Sequence, residues 1–428
     1  MRVQVLLVAG ALLLVPRPAR PQGEPRGPEF RVNSYTTGNQ GGFAPSYCLC
    51  QQGAAIAADP AGNFVVIWHS LDQDGSSYGI FGQRYAASGL PVGPEFRVNS
   101  YTTGGQRNPR VAVSDTGGFV VVWNSGQVPG GLDDAFGQRY DGSGAPAGPE
   151  FRINTAITGI SWMPSVASDS AGNFVVVWQG DGSGGPGIWG QRFLSSGAPL
   201  GSDFRINTYT PVGGNATVAM APAGDFVVVW DNQTPNVGHD IFGQMFTSAG
   251  VPVGSQFRVN TYTTGYQEKP AVATDAAGNF VVVWDSGYQD GSQWGIFGQR
   301  FASAGTPLGA EFRVNATTGL TQWSPGFGIA SDADGNFVVA WYDSFNGDPY
   351  GGIFARRFAS SGMPAGPEFR VNTYTTRRQN YAAVAADGPS GNFVVVWRSY
   401  LQDGSKDGVF AQRYGQIFPV ELTSFRVD

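Results

Sequence analysis

Charged side chains are scarce in this sequence. Asp, Glu, Lys and Arg together make up 14% of the 428 residues, and the only lysines are Lys269 and Lys406. The formal net charge is −6 at pH 7, so nucleic acid and anionic membrane surfaces are poor candidate partners. The chain is instead rich in glycine (63 residues) and in aromatics (13%). This composition is typical of many short strands joined by tight turns, and not of a helical or disordered protein.

Cysteine and histidine are almost absent. Cys48 and Cys50 stand in "SYCLCQQ", where they could form a small local disulfide or remain unreactive thiols. No disulfide framework is therefore expected, and two thiols without nearby histidines make a poor metal site. The histidines are His69 and His239, and no nucleophile elbow, zinc-binding helix or phosphate loop motif is present. Glu268 is the one glutamate in a predicted irregular loop.

Long apolar runs are absent apart from Val3–Val15 near the N-terminus. Its 13 residues are too few to span a bilayer but match the core of a signal peptide, so residues 1–23 are expected to be removed on export. A secreted or cell-surface protein without a transmembrane segment in the mature chain is predicted. We expect it to be a monomer.

A repeat of 52 to 57 residues organises the rest of the chain. Each copy carries four short apolar segments, exemplified by "AVATD", "GNFVVVW", "GIFGQRF" and "EFRVN". The second segment, "GNFVVVW" or a version of it, ends in a tryptophan seven times, at Trp68, Trp123, Trp178, Trp230, Trp284, Trp341 and Trp397. Four strands in each of seven repeats predict an all-β, seven-bladed β-propeller of four-stranded antiparallel blades over residues 24–416. Residues 417–428 form a C-terminal tail, which could begin a further domain.

The strands are named A ("AVATD"), B ("GNFVVVW"), C ("GIFGQRF") and D ("EFRVN"), from the axis outward. Strand B is apolar on both faces, as expected of a strand packed between two neighbouring blades. Strand A consists of small residues, which suits innermost strands that converge on a narrow axis. The motif order predicts that the N-terminal "EFRVN" closes the ring as the outer strand of the last blade, although "TSFRVD" at residues 423–428 could compete for this place.

The irregular segments fall on one face of the predicted ring, in the B–C and D–A loops. Aromatic side chains in these loops suit stacking on sugar rings or anchoring of a protein partner, and the alternative is that they cap the blade core. Propellers commonly bind ligands on a loop face near the axis. The candidate ligand-binding residues are Trp162, Tyr266, Trp294, Trp323 and Tyr381.

Acidic glycine-rich loops such as "QDGS" raise the possibility of calcium. Asp72 and Asp74 are two residues apart, and Asp285 and Asp290 flank another copy of this loop. Calcium prefers several oxygen ligands, but Asp-Gly is also a turn signal that requires no metal, and no copy matches a complete EF-hand loop. Calcium is the only cofactor considered, with these four aspartates as its candidate ligands.

A recurrent arginine in "GQRF" is interpreted as structural. It is present in six copies, including Arg84 and Arg300, and Met245 replaces it in the fourth. A residue that recurs in nearly every blade indicates scaffold and not a single anion site. These arginines are expected to pair across strands or to cover the blade edge.

The motifs "GPEFRVNSYTTG", "GGFVVVWNS" and "QDGSSYGIFGQRY" resemble the tandem repeat of large secreted bacterial surface or adhesion-type proteins. The resemblance extends over about residues 28 to 414. It implies an extracellular, propeller-like binding or surface module without established chemistry, so no catalytic residue is transferred from it. The tail "FPVELTSF" is similar to a stretch near the C-terminus of many secreted bacterial proteins.

The first hypothesis for function is a secreted, non-catalytic module that recognises a carbohydrate polymer or a protein at its B–C/D–A loop face. A glycoside hydrolase or lyase that uses loop carboxylates, such as Asp290 and Glu268, is the first alternative. A structural spacer of the cell envelope is the second.

Overall fold

The structure is a computed structural model. It describes residues 24–42, 53–127, 133–155, 159–182, 185–208, 214–234, 238–318, 321–323, 328–344 and 349–417. The expected signal peptide, both cysteines and residues 418–428 of the expected tail lie outside this part. The described residues form β-strands and no helix, so none of them provides a helix able to cross a membrane.

The strands form four-stranded antiparallel units that follow the repeat. Strand D of the seventh unit comes from the N-terminus, where Phe30 pairs with Ala411 and Arg31 with Phe410, as the motif order predicts. In the order A, B, C, D, the strands are Ala55–Ala58, Phe64–Leu71, Tyr78–Tyr85 and Phe96–Arg97 in unit 1; Gln106–Val113, Phe119–Ser125, Asp134–Tyr140 and Phe151–Arg152 in unit 2; Ser161–Ser168, Phe174–Gly182, Gly185–Phe193 and Pro199–Arg205 in unit 3; Gly214–Met220, Phe226–Thr234, Gly238–Phe246 and Pro252–Arg258 in unit 4; Gly265–Thr274, Phe280–Gly287, Trp294–Phe301 and Phe312–Arg313 in unit 5; Gln322–Trp323 with Ile329–Ser331, Phe337–Asp343, Gly352–Phe358 and Phe369–Arg370 in unit 6; and Gln379–Ala386, Phe393–Tyr400, Asp407–Tyr414 and Phe30–Arg31 in unit 7.

One sheet extends beyond a single unit. Strand C of unit 4 and strand A of unit 5 pair in parallel over two residue pairs, Gly238 with Gly265 and His239 with Tyr266. The strand pairs within the units are antiparallel, with consecutive strands adjacent. This connectivity needs only tight turns between neighbouring strands, which explains the high glycine content.

The hydrophobic core is divided between neighbouring units. The side chains of Val66 and Trp68 in unit 1 pack with Val394 and Val396 in unit 7. A cluster of the same kind lies between the two units of each remaining neighbouring pair. All seven strand-B tryptophans are fully buried. Because strand B is apolar on both faces, each unit buries one face against the preceding unit and the other against the following unit.

The A strands surround a cavity of about 150 Å³. All seven A strands, or the residues that lead into them, contribute side chains to its wall, and most are Ala, Val or Ile. The charged residue among them is Arg110. Small residues in strand A therefore occupy the place that the sequence predicted for them, because larger side chains would fill this space.

A side-chain acceptor in the strand-D motif links each unit to the preceding one, and it is a carboxylate in every unit except unit 4, where it is the Gln256 amide. Glu95 Oε2 in unit 1 accepts hydrogen bonds from the backbone N–H of Ser34 (2.6 Å) and its hydroxyl (2.8 Å), and Ser34 follows the D strand of unit 7. Glu29 and Thr373 form the equivalent link between units 7 and 6. The corresponding acceptors in the other units are Glu150, Asp203, Gln256, Glu311 and Glu368. We call this set the strand-D links.

The "QDGS" loops contribute hydrogen bonds to the strand-D links. Gln73, Gln289 and Gln402 each donate an amide N–H to the glutamate of their own unit. The aspartate of the motif accepts from the loop and from the asparagine of strand D, as in Asp74 with Asn99 at 3.1 Å. The motif therefore binds its loop to strand D in units 1, 5 and 7, which is a structural role.

The recurrent arginines of strand C extend to the next unit. Arg192 donates to the backbone carbonyl of Ser248 at 2.8 Å, and Arg139 to that of Ser195 at 2.7 Å. The same contact is made by Arg84, Arg300, Arg357 and Arg413. These contacts agree with the interpretation of the arginine as scaffold, which expected it to pair across strands or to cover the blade edge. The partner is the C–D turn of the following unit, or its equivalent after strand C of unit 7.

Ile417 belongs to the core. It was assigned to the tail, yet its side chain is fully buried among residues of units 6 and 7, including Val338 and Phe393. Its backbone N–H donates to the carbonyl of Gly391 at 2.6 Å. Unit 7 has no C–D turn of its own, because its strand D comes from the N-terminus, and the chain can therefore turn into the core here.

We expect replacement of Glu95 by alanine to lower the free energy of unfolding by about 1–2 kcal/mol, because Ser34 and Gln73 lose a charged acceptor. Urea denaturation of the mature chain measures this. Glu24→Ala, which removes an exposed carboxylate near the N-terminus, is the control. Equal stability of the two variants would contradict a stabilising role for the strand-D links.

Ile417→Ala is expected to cost about 2–4 kcal/mol, since it removes a fully buried aliphatic side chain. Val251→Ala, at a turn residue that is 57% exposed, should change stability by less than about 0.5 kcal/mol. Both values follow from the same urea titration. A near-neutral Ile417→Ala variant would show that this side chain does not contribute to the core.

Candidate functional site

The repeat varies most in chemistry at the residue that follows each strand-B tryptophan. These positions lie at the B–C end of the strand, and they are His69, Asn124, Gln179, Asp231, Asp285, Tyr342 and Arg398. Five of the seven are buried polar or charged side chains. We use the name mouth for a set that contains these seven residues and two groups of strand-A residues. The two groups are the residues at the β-bulges of strand A, described next, and the residues that directly precede them. Variation confined to one level of a uniform scaffold indicates a candidate site.

A β-bulge places the strand-A residues of the mouth. The strand register shifts between Arg107 and Arg110 in unit 2 and between Glu268 and Ala271 in unit 5, with similar shifts in units 3, 4 and 7. The bulged residues have positive φ values, at Asn108, Met163, Asn215, Lys269 and Tyr381. Below the bulge, the strand continues into the wall of the axial cavity. Bulges of this kind redirect side chains next to binding sites.

Some mouth residues hold the bulge of the following unit. Asn124 of unit 2 accepts from the backbone N–H of Met163 (3.0 Å) and donates to the carbonyl of Ser161 (2.6 Å) in unit 3. Asp231 of unit 4 accepts from the backbone N–H of Lys269 at 3.1 Å in unit 5. Hydrogen bonds between units therefore hold these parts of the mouth in place.

One side of the mouth is cationic. The Arg398 guanidinium lies 4.7 Å from the Tyr381 ring centroid and 3.5 Å from a carboxylate oxygen of Asp407. His69 is fully buried at the same place, and burial, together with Arg398, Arg107 and Arg110, lowers its pKa to about 3. His69 is therefore a neutral ring at neutral pH. Units 7, 1 and 2 provide this cationic sector.

Another side is acidic. Asp231 accepts from Asn215 at 2.7 Å, and Asp285 lies 3.7 Å from the Lys269 ammonium. Glu268 Oε1 is 3.7 Å from His239 Nδ1. Burial raises the pKa of the Glu268 carboxyl, and Asp231 raises it further, while His239 and Lys269 oppose the increase. Units 4 and 5 provide this acidic sector.

The five predicted aromatic residues lie in strand A or in strand C, at the ends of these strands that face the B–C and D–A loops. Trp162 (43% exposed) and Tyr266 (49% exposed) lie at the loop ends of A strands, and Tyr381 is at a bulge beside Arg398. Trp294 is half-buried in strand C of unit 5 and forms a parallel bridge with Thr321 of unit 6. Trp323 pairs with Tyr342 in strand A of unit 6, and its side chain lies outside the described part. The structure thus places three of the five aromatics in or next to the mouth.

The candidate calcium ligands have other contacts. Asp290 accepts from Ser292 at 2.7 Å, Asp74 from Asn99, and Asp285 lies beside Lys269. Asp72 has a positive φ of 60° in its turn. Among the described residues, no group of three or more His, Cys, Asp or Glu could hold a metal ion. Calcium binding by these four aspartates stays a prediction.

Sequence reasoning missed Arg398, Arg107 and His69. The signal was present, since these residues differ between repeats at equivalent positions, whereas the residues around them recur. Aromatic loop residues attracted attention because they interrupt an otherwise uniform pattern. The charged residues of the mouth lie within or directly after predicted strands. In the sequence they are therefore not distinguishable from ordinary polar residues at the end of a strand.

The comparisons with known proteins give no family for the chain. No family model matches it, and no curated protein matches it. Solved structures do align with it: a protein of unknown function from Dyadobacter fermentans at 13% identity, over 72% of this chain and 95% of that chain, with a TM-score of 0.49. The polysaccharide lyase Uly1 aligns at 9% identity over 90% and 94% of the two chains, with a TM-score of 0.48. An α-L-arabinanase from Penicillium chrysogenum aligns at 13% identity over 85% and 92%, with a TM-score of 0.43. These similarities are too low for any conclusion about function.

Replacing Glu268 by glutamine should stabilise the protein more as the pH rises. A carboxyl whose folded pKa is above its unfolded value binds its proton more tightly in the fold, so the wild type loses stability as pH increases through that window. The glutamine variant does not titrate. We expect its advantage in urea denaturation to be smaller at pH 4 than at pH 7. Glu24→Gln is the control, and a pH-independent difference at Glu268 would contradict the perturbed carboxyl.

Proposed function

We propose that the chain is a seven-bladed β-propeller, exported from the cell, whose mouth binds a glycan without cleaving it. The hydrophobic clusters between successive units support the propeller, since the last unit shares one with the first. The cavity lined by residues of all seven units supports a common axis. The apolar run Val3–Val15 and the resemblance to repeats of secreted bacterial proteins support export.

The exposure of Trp162 and Tyr266 at the mouth is the observation that carries the binding proposal. The A strands are rich in small residues, yet these two positions present large, exposed aromatic rings at the loop ends of their strands. Flat rings next to Asn, Gln, Asp and Arg side chains match the alternating apolar and hydroxyl surfaces of a sugar. A protein partner anchored by the same rings is the other outcome that a binding screen can return.

Trp162→Ala and Tyr266→Ala are expected to weaken glycan binding at least tenfold while the thermal unfolding midpoint changes little. Each removes a stacking surface worth about 1–1.5 kcal/mol or more from a partly exposed position. Binding is measured on a glycan array and then by titration calorimetry with the best polymer, with and without calcium.

Met363→Ala is the matched control, because this residue is 67% exposed on a C–D turn at the opposite face. Unchanged glycan affinity in both aromatic variants would contradict the assignment of the mouth as the binding site. Binding of an envelope protein in place of any glycan would reassign the partner.

A glycoside hydrolase or lyase is the second candidate function, and Glu268 is the observation that favours it. Its carboxyl has a raised pKa, lies 3.7 Å from a histidine and shares the acidic sector with Asp231. A carboxyl whose pKa is raised is better suited to act as a general acid toward a glycosidic oxygen. Release of reducing ends or unsaturated sugars, abolished in Glu268→Gln, would establish this activity in place of binding alone.

A further inference from the structure

The cationic sector holds three guanidinium groups around one buried ring. Arg398 of unit 7, Arg107 and Arg110 of unit 2 each lower the pKa of His69 in unit 1. Arg107 lies 5.5 Å from the Tyr78 ring centroid, and His69 contacts the same ring edge-on at 5.3 Å. Side chains from three units are thus brought to one place.

The sector contains buried guanidinium groups. Burial lowers the pKa of Arg110 to about 9 and also lowers that of Arg398. Guanidinium groups keep their positive charge in proteins, whereas burial lowers the pKa of His69 to about 3 and leaves its ring neutral at neutral pH. Their field is weakly screened, since charges in a low-dielectric environment act over longer distances than charges in water. The carboxylates that face the sector are Asp407, next to Arg398, and Asp133, next to Arg107, and Arg378 adds a further cation.

Polar groups that a ligand could reach line the edge of this sector. Arg107, Asn108 and Asn380 are half-buried, in contrast to Arg110 and Arg398. Asn380 accepts from Arg398 Nε at 2.9 Å and keeps its amide N–H groups as donors. A planar guanidinium beside amide donors is suited to a carboxylate, which it can bind through two parallel hydrogen bonds.

The acidic sector lies across the mouth. Units contact their neighbours in chain order, and units 4 and 5 are therefore furthest from unit 1. Asp231, Glu268 and Asp285 repel an anion but accept hydrogen bonds from sugar hydroxyls. Trp162 stands on unit 3, between the two sectors. A sugar that carries one anionic group would thus be bound in a single orientation.

We propose that the mouth recognises an acidic glycan, a polymer of uronic acids, whose carboxylate binds at Arg107 in the field of Arg110 and Arg398. This inference rests on the proposed glycan-binding function and specifies its ligand class. It assigns the specificity to a charged group, whereas Trp162 and Tyr266 supply stacking that any sugar can use.

The test compares polygalacturonate with the same polymer after carboxyl reduction, by titration calorimetry on the mature chain. We expect polygalacturonate to bind at least tenfold more tightly, with an affinity that falls as salt is added. Arg107→Gln should remove most of this preference. Arg97→Gln, an exposed arginine of strand D, should alter neither affinity.

Other results overturn the inference in distinguishable ways. Equal affinities for the two polymers, or a full preference retained in Arg107→Gln, contradict the carboxylate site while glycan binding stands. Tighter binding of dextran sulfate than of polygalacturonate assigns the site to sulfate and contradicts the uronic acid. If no glycan binds in the array or in the titration, the proposed function fails, and this inference fails with it.

Discussion

A four-stranded unit of this protein cannot bury its own central strand. Strand B is apolar on both sides, and the sheet has no second layer within the unit to cover either of them. Each unit must therefore lie between two others, and the core consists of clusters shared across the boundaries. The fully buried tryptophan within every strand B marks these boundaries. The N-terminal strand follows from the same constraint, because the last unit would otherwise expose the edge of strand C.

Polar links reinforce the boundaries at the periphery. The strand-D links and the strand-C arginines both join consecutive units, and both recur around the chain. Unit 4 differs, since Gln256 provides its link to unit 3 and Met245 replaces the arginine directed to unit 5. The parallel pairing of Gly238 with Gly265 joins units 4 and 5 at the other face.

The uniform scaffold has a consequence for function. Residues that recur between units carry structural contacts, and so do the Gln and Asp of "QDGS" in units 1, 5 and 7, although its aspartates were candidates for metal binding. Chemistry that differs between units concentrates at the mouth, where Arg398, Asn124 and Asp231 occupy equivalent positions. Because each unit packs against the preceding and the following one, these different side chains recur at the same end of successive units. Each unit can therefore contribute a different group to one ligand without a change in the core.

Repetition in the sequence was sufficient to predict the strands, their order in each unit, the small residues of strand A and the N-terminal origin of the last strand D. These features depend on local patterns of period two and on the number of strands per repeat. The partner of the strand-C arginine could not be predicted, because it is a backbone carbonyl of the following unit, and backbone atoms leave no trace in a sequence pattern. Nor could the burial of Ile417, which depends on the missing C–D turn of unit 7.

The sequence by itself determined that Trp162, Tyr266 and Tyr381 stand apart from the repeat. Only the tertiary structure decided which of the candidate aromatics reach the mouth, and that Arg107, Arg110, Arg398 and His69 meet there. The physical reason is the bulge in strand A: it turns side chains of a regular-looking strand toward the axis, through positive φ values at residues that are not glycine. Residues far apart in the chain then share one electrostatic environment, which no local pattern records.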